Sequence, residues 1–126
     1  MIVGTGIDIA EVDRVRNAIE RHGQRFTQRI YTPREIAYVE HKANVFERYA
    51  ARFAAKEAGM KALGTGWRRG VRWRDFEVVN LASGKPTLIL HGVAASIAES
   101  LGVTGVSLSI THTAQQGMAI VILERL

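Results

Sequence analysis

The sequence contains no cysteine among its 126 residues. This absence excludes disulfide bonds, thiolate nucleophiles and zinc–thiolate sites, and it fits a reducing compartment. No apolar run is long enough for a membrane-spanning helix, and the N-terminus begins a patterned segment instead of a charged and then apolar leader. We therefore expect a cytoplasmic protein with no membrane partner.

The chain is short and basic. Its length predicts a single domain over residues 1–126, with enough apolar residues (47%) for a core. No internal repeat, low-complexity stretch or linker divides it. The formal net charge of +5 indicates a polyanionic partner, which leaves nucleic acid, a phosphorylated ligand and an acidic protein open.

The apolar periodicity predicts an α+β fold. Strands are expected over Ile2–Ile9, Phe76–Leu81, Thr87–His91, Val106–Thr113 and Met118–Glu124, and helices over about Glu11–Arg21, Pro33–Lys42, Val45–Leu63 and His91–Leu101. Thr32 and Glu35 form a capping box at the second helix, and Gly64 stops the third. The order lacks regular βαβ alternation, so we expect a mixed, largely antiparallel sheet packed against a long central helix.

One acidic residue interrupts the apolar stripe of the longest helix. The stripe consists of Phe46, Tyr49, Ala50, Phe53 and Met60. Glu57 falls in its middle, and Lys61 follows on nearly the same face. A carboxylate aimed at a core needs a cation, a metal or a shifted pKa, because burying it unpaired is costly.

Asp8, between two isoleucines at the end of the first strand, is a second acid in an apolar setting. It is either an outward-facing strand acid, a cap for the next helix, or a metal ligand. Magnesium prefers hard oxygen donors and usually takes one or two carboxylates. Asp8 and Glu57 together would supply such a pair.

The basic residues around Glu57 divide into two groups. Arg48, Arg52 and Lys56 lie away from the apolar stripe, which is typical of a solvated face. Lys61 shares the face of Glu57, so it either pairs with that acid or meets a phosphate beside a metal.

Three further segments carry signals that do not identify a function on their own. Gly64-Thr65-Gly66 resembles a phosphate loop, but its spacing matches neither common nucleotide-binding motif, and a plain helix stop explains it. Trp67–Arg74 interleaves aromatics with arginines as nucleic-acid binders do, yet no nucleic-acid-binding fold surrounds it, and a loop that faces a phosphate or a partner explains it equally well. His112 ends an alternating strand and has no triad spacing, so a structural role is its default interpretation.

Taken together, these segments resemble a known family. The motifs are Gly6-Ile7-Asp8-Ile9, Phe53–Ala58 with Lys61 and Gly64-Thr65-Gly66, Gly84-Lys85-Pro86, and Ser109-Ile110-Thr111-His112. Their order and spacing are similar to those of the bacterial holo-acyl carrier protein synthases, the short class of 4′-phosphopantetheinyl transferases. The resemblance covers essentially the whole chain.

The resemblance implies an enzyme of fatty acid biosynthesis that moves 4′-phosphopantetheine from coenzyme A to a serine of apo-acyl carrier protein. It implies a homotrimer with active sites between subunits. The family's magnesium-binding acids match Asp8 and Glu57, which together with Lys61 would be the catalytic residues. Coenzyme A contacts would come from Lys56, Lys61, Gly64, Thr65, Gly66, Pro86, Ser109 and His112.

Carrier proteins of this kind are acidic, which gives the positive charge a partner. We expect the docking face on the first helix and just beyond it, at Arg14, Arg16, Arg21 and Arg25. Two alternatives remain from the residues alone. A nucleic-acid-binding module would explain Trp67–Arg74 but not the two acids, and a magnesium-dependent phosphodiesterase would use the same acids with water as acceptor.

Overall fold

The computed structural model describes residues 1–126, all of the chain. Five strands are present: β1 (Ile2–Glu11), β2 (Phe76–Asn80), β3 (Pro86–Leu90), β4 (Gly105–His112) and β5 (Gln116–Glu124). Five α-helices accompany them: α1 (Val12–His22), α2 (Gln24–Ile30), α3 (Pro33–Glu40), α4 (Val45–Leu63) and α5 (Gly92–Ser100). A 3₁₀ turn at Trp73–Asp75 precedes β2.

The strands form two antiparallel sheets. One has the order β1-β5-β4, and the other pairs β2 with β3. The predicted α+β class with antiparallel pairing is therefore confirmed, although the strands divide into two sheets. Helix α2 was not predicted; Gly23, at φ 57°, separates it from α1, and no side chain caps its start.

Helix α4 lies directly on β1 because two glycines of that strand have no side chain. A Cβ atom added to Gly4 would collide with the carbonyl oxygen of Ala62, and one added to Gly6 would collide with that of Ala58. Asp8 has the same strand parity as Gly6, so its carboxylate also faces α4. The glycines thereby set the distance between Asp8 and the helix.

Helix α4 begins and ends where the sequence predicts, at Val45 and Leu63, and Gly64 follows in the left-handed conformation at φ 82°. Its burial differs from the prediction, because the helix is enclosed on most of its circumference. Arg52 (5% exposed) and Lys56 (0% exposed) are buried instead of solvated. Glu57, predicted to point at the core, is half-buried at its edge.

The helices are all shorter or more polar than a bilayer crossing requires.

Candidate active site

Asp8 of β1 and Glu57 of α4 face each other at the edge of the core. Partial burial, together with the hydrogen bonding and the charge of the adjacent Asp8 carboxylate, raises the pKa of Glu57 from its ordinary value of 4.5 to about 7. Lys61 and Arg14 oppose the shift. Ionisation of Glu57 beside Asp8 is therefore disfavoured unless a cation offsets its charge.

Lys61 lies beside this pair and is bonded to Asp8. Its Nζ donates to Asp8 Oδ1 at 2.8 Å and to the carbonyl oxygen of Ile7 at 3.0 Å. The side chain is 55% exposed. The lysine thus pairs with Asp8, not with Glu57, and still presents its ammonium group to solvent.

The second oxygen of Asp8 has no partner. Asp8 Oδ2 is buried and accepts no hydrogen bond, and the facing Glu57 carboxylate is the neighbouring acid. Buried acceptors without donors are uncommon, and two hard oxygen donors fit a divalent cation such as Mg²⁺. No three His, Cys, Asp or Glu side chains lie close enough together to hold a metal ion by themselves. Any Mg²⁺ held here would complete its shell with water or with oxygens of a substrate.

Glu57 lines an open cleft of about 600 Å³ with Arg14, Phe26, Phe53 and Trp67. A second cleft of about 520 Å³ shares Phe26, Phe53 and Trp67 and includes Arg25. One side of the acid pair is therefore apolar and aromatic, with arginines at its rim.

The four arginines predicted for docking do not share one face. Arg14 and Arg21, seven residues apart, lie on the same side of α1, and both are exposed. Arg16 points elsewhere: it bonds Asp13 at 2.8 Å and stacks over the Phe46 ring at 5.1 Å. Of the four, Arg14 lines the Glu57 cleft and Arg25 lines the second cleft.

Lys56 occupies a different place from the one predicted. Its Nζ donates to Glu35 Oε1 at 2.7 Å and to the carbonyl oxygen of Phe76 at 2.5 Å, with no accessible surface. Burial lowers the pKa of Lys56, and the Glu35 carboxylate opposes that shift. A lysine enclosed in this way has no free donor for coenzyme A, so the predicted contact is wrong for this conformation.

The Gly64-Thr65-Gly66 turn follows one turn of helix after Lys61. The N–H groups of Gly64 and Thr65 donate to the Met60 carbonyl oxygen at 3.0 and 3.2 Å, which closes the end of α4. Thr65 Oγ1 donates to the Gly66 carbonyl oxygen at 2.9 Å. The turn is a helix stop, as predicted, and these N–H groups are not available to a phosphate.

Ser109 and His112 lie away from the acid pair within one chain. Ser109 pairs with Ile120 on the exposed sheet face, opposite to the face that carries Asp8. His112 Nδ1 lies 3.0 Å from Glu47 Oε1. Glu47 precedes Glu57 by ten residues, about 15 Å along α4.

Pro86, which the resemblance implies as a coenzyme A contact, is the first residue of β3 and belongs to the separate two-stranded sheet.

Sequence reasoning missed a row of aromatic rings along this site. Phe26 stacks on Phe53 at 6.5 Å, Phe53 on Trp73 at 4.8 Å, and Trp67 meets Trp73 edge-on at 5.3 Å. Phe26 lies in the unpredicted helix α2. The two tryptophans of Trp67–Arg74 were the available signal, but their spacing does not distinguish an aromatic wall of the site from a nucleic-acid-binding or partner-facing loop.

The chain matches known proteins over its whole length. The profile of the 4′-phosphopantetheinyl transferase superfamily matches residues 4–120. A holo-acyl-carrier-protein synthase of Solibacter usitatus is 75% identical over 124 residues, which cover 98% of this chain and 99% of that protein.

Solved structures agree with this match. The structure of holo-acyl-carrier-protein synthase from Neisseria meningitidis has a TM-score of 0.90 and 35% identity, covering 99% of this chain and 100% of that one. A holo-acyl-carrier-protein synthase from Bacillus anthracis in complex with coenzyme A (3′,5′-ADP) has a TM-score of 0.81 and 38% identity, covering 100% and 99%. The chain belongs to the 4′-phosphopantetheinyl transferase superfamily.

Proposed function

We propose that this protein transfers 4′-phosphopantetheine from coenzyme A to a serine hydroxyl of apo-acyl carrier protein. The serine oxygen attacks the phosphorus that carries the pantetheine arm, the phosphoanhydride bond breaks, and adenosine 3′,5′-bisphosphate leaves. The observation that carries the proposal is the pair of facing acids, Asp8 and Glu57, with Lys61 beside them, in a member of this family. The relatives' names supply the donor and the acceptor.

Each of the three residues has a task in this reaction. Asp8 and Glu57 would hold Mg²⁺, which supplies positive charge to the pyrophosphate when it is bound. Lys61 presents its exposed ammonium group to a phosphate oxygen, where charge develops in the transition state. The serine proton goes to the Glu57 carboxylate, directly or through a bound water.

The acceptor is a protein, so the site must be open to one. The clefts beside Glu57 are open, Arg14 and Arg25 add positive charge to their walls, and Arg21 is exposed on the same side of α1 as Arg14. An acidic carrier is attracted to such a surface and oriented by it. This placement brings the carrier serine to the acids over the Phe26 and Phe53 side of the cleft.

We propose a homotrimer with interfacial active sites. The outer face of the β1-β5-β4 sheet exposes Ile7 (56%), Ile9 (48%) and Ile120 (39%), which form a continuous apolar patch across two paired strands. Such a patch favours association. Ser109 belongs to this face, and in the proposed trimer Ser109 and His112 would contribute to the site of a neighbouring copy. Light scattering tests the assembly: a mass three times that of the chain is expected, and a monomer at working concentration contradicts it.

Three broader assignments complete the proposal. Residues 1–126 form one transferase domain, because α4 packs against β1, β5 and β2 together. The reaction serves fatty acid biosynthesis, whose carrier proteins need the arm. A cytoplasmic location fits the cysteine-free composition.

The experiment must separate transfer from hydrolysis, since the same acids would serve a phosphodiesterase. Release of adenosine 3′,5′-bisphosphate is measured with coenzyme A, Mg²⁺ and apo-carrier, and again with a carrier whose acceptor serine is alanine. Transfer predicts release with the serine carrier alone. Equal release with both carriers, or without any, identifies hydrolysis and overturns the proposal.

A further inference from the structure

The segment Trp67–Arg74 contributes no group to the transfer reaction, yet it forms a wall of the site. Trp67 is 68% exposed, and it lines the cleft that contains Glu57. Trp73 lies behind it and stacks on Phe53. The two indoles therefore lead away from the acid pair along one aromatic surface.

Three clefts join around this surface. The Glu57 cleft shares Phe53 and Trp67 with the second cleft, which in turn shares Trp67, Trp73 and Arg29 with a third cleft of about 630 Å³. A ligand anchored at Glu57 can thus extend past Trp67 without leaving the protein surface. The third cleft is where the far end of such a ligand arrives.

We name this third cleft the basic cleft; its wall includes Arg29, Val71, Arg72, Trp73, Arg74 and His91, with Asp75 as its one acidic residue. Arg29 and Arg74 make no salt bridge or side-chain hydrogen bond. Arg72 is only 3.8 Å from Asp75 Oδ1 and remains 81% exposed. The cleft therefore combines an apolar wall with two guanidinium groups, those of Arg29 and Arg74, that lack acidic partners, whereas Arg72 is paired with Asp75.

This combination does not suit the pantetheine arm alone. The arm ends in a thiol and carries amides and methylenes, so it needs no cation. An acyl thioester whose chain ends in a carboxylate fits both features, with methylenes against Val71 and Trp73 and the carboxylate on an arginine. Bidentate hydrogen bonding to a planar carboxylate is what the guanidinium group provides.

We infer that the basic cleft binds the acyl group of carboxyacyl-coenzyme A donors and makes them preferred over uncharged acyl donors of equal length. The inference rests on the proposed function. The chemistry at phosphorus is unchanged: the serine O–P bond forms, the phosphoanhydride bond breaks, the serine proton leaves, and adenosine 3′,5′-bisphosphate departs. The thioester bond stays intact, so the carrier receives the acyl-phosphopantetheine arm in one step.

The test compares glutaryl-coenzyme A with pentanoyl-coenzyme A, which have the same chain length and differ in the terminal carboxylate. Initial rates give kcat/KM for each donor, and the intact mass of the carrier identifies the product. A partly exposed ion pair is worth up to about 1 kcal/mol, so we expect a preference of about fivefold for the glutaryl donor. Arg29→Gln and Arg74→Gln should reduce it, and the double variant should abolish it.

Arg68→Gln is the matched control, because it removes the same charge from the same segment without lining the basic cleft. It should keep the donor preference. The inference is overturned by equal kcat/KM for the two donors in the wild type, or by an equal loss of preference in Arg68→Gln. It is also overturned if Arg29→Gln and Arg74→Gln raise only the carrier KM, since they then contact the carrier. Failure to transfer from coenzyme A itself would instead overturn the proposed function, and this inference with it.

Discussion

Lys56 and Glu35 form an ion pair in which neither side chain has accessible surface, with 2.7 Å between Nζ and Oε1. Glu35 also accepts hydrogen bonds from the N–H groups of Thr32 and Val78. The pair therefore joins the start of α3 and strand β2 to helix α4, one residue before Glu57. It fixes the rotation of α4 about its axis, and with it the direction of the Glu57 carboxylate.

Removing the Lys56 charge should destabilise the fold and not simply weaken ligand binding. Lys56→Met leaves Glu35 as an unpaired buried acid, which costs about 3–5 kcal/mol of unfolding free energy. Denaturant unfolding measures the loss. Lys42→Met is the control at an exposed lysine and should cost less than about 1 kcal/mol. A stable Lys56→Met protein with a selective loss of coenzyme A affinity would contradict this prediction and show that Lys56 contacts coenzyme A.

A methyl group on Gly6 should separate β1 from α4. Gly6→Ala places its Cβ against the Ala58 carbonyl oxygen, so strand and helix must move apart, at a cost of about 1–3 kcal/mol or more. Asp8 and Glu57 then lie farther apart, and turnover should fall by more than the loss of folded protein explains. Gly105→Ala is the control, since the nearest atom, Glu124 Cβ, is 3.9 Å away. Equal turnover in the two variants would show that this contact does not set the site.

The raised pKa of Glu57 makes stability depend on pH when no metal is bound. The folded protein holds the Glu57 proton up to about pH 7, whereas the unfolded chain releases it near 4.5. The folded state binds more protons between these values, so the unfolding free energy should fall as pH rises from about 4.5 to 7. Glu57→Gln should remove that part of the pH dependence, and Mg²⁺ affinity of the wild type should rise over the same range. Identical pH profiles for the two proteins would contradict the assignment.

Carrier recognition should depend on Arg14 and Arg25 more than on Arg16. Arg14→Ala and Arg25→Ala each remove a rim charge, so we expect the KM for apo-carrier to rise up to about fivefold at low salt. The effect should shrink as salt rises, because screening weakens the attraction. Arg16→Ala should change the KM less, since Arg16 is held by Asp13 and Phe46. Equal effects of all three substitutions would show that Arg16 contributes to carrier docking as much as Arg14 and Arg25 do.

The sequence was most informative where the signals are local. Helix α4 was predicted to its terminal residues, and the capping box of Thr32 and Glu35 is present with both hydrogen bonds. The expectation that Asp8 and Glu57 meet came from two acids in apolar settings. It agrees with the effect of Asp8 on the pKa of Glu57.

The errors arose where non-local packing decides. A single apolar stripe implies one buried face, but α4 is enclosed by both sheets and by α1. Lys56 is therefore buried in the core, although it lies off the stripe. Its partner Glu35 lies 21 residues earlier in the sequence, and no local sequence pattern predicts such a pairing. Helix α2 has seven residues and no side-chain cap, so its sequence carries little helical signal.

The intact mass of an apo-carrier after incubation with coenzyme A and Mg²⁺ tests the central claim most directly. Wild-type protein should add one phosphopantetheine arm to the carrier. Asp8→Asn and Glu57→Gln, with the circular dichroism of the folded wild type, should leave the carrier mass unchanged over the same time. Full conversion by either folded variant would contradict the assignment of the acid pair, and no mass gain with the wild type would contradict the transfer itself.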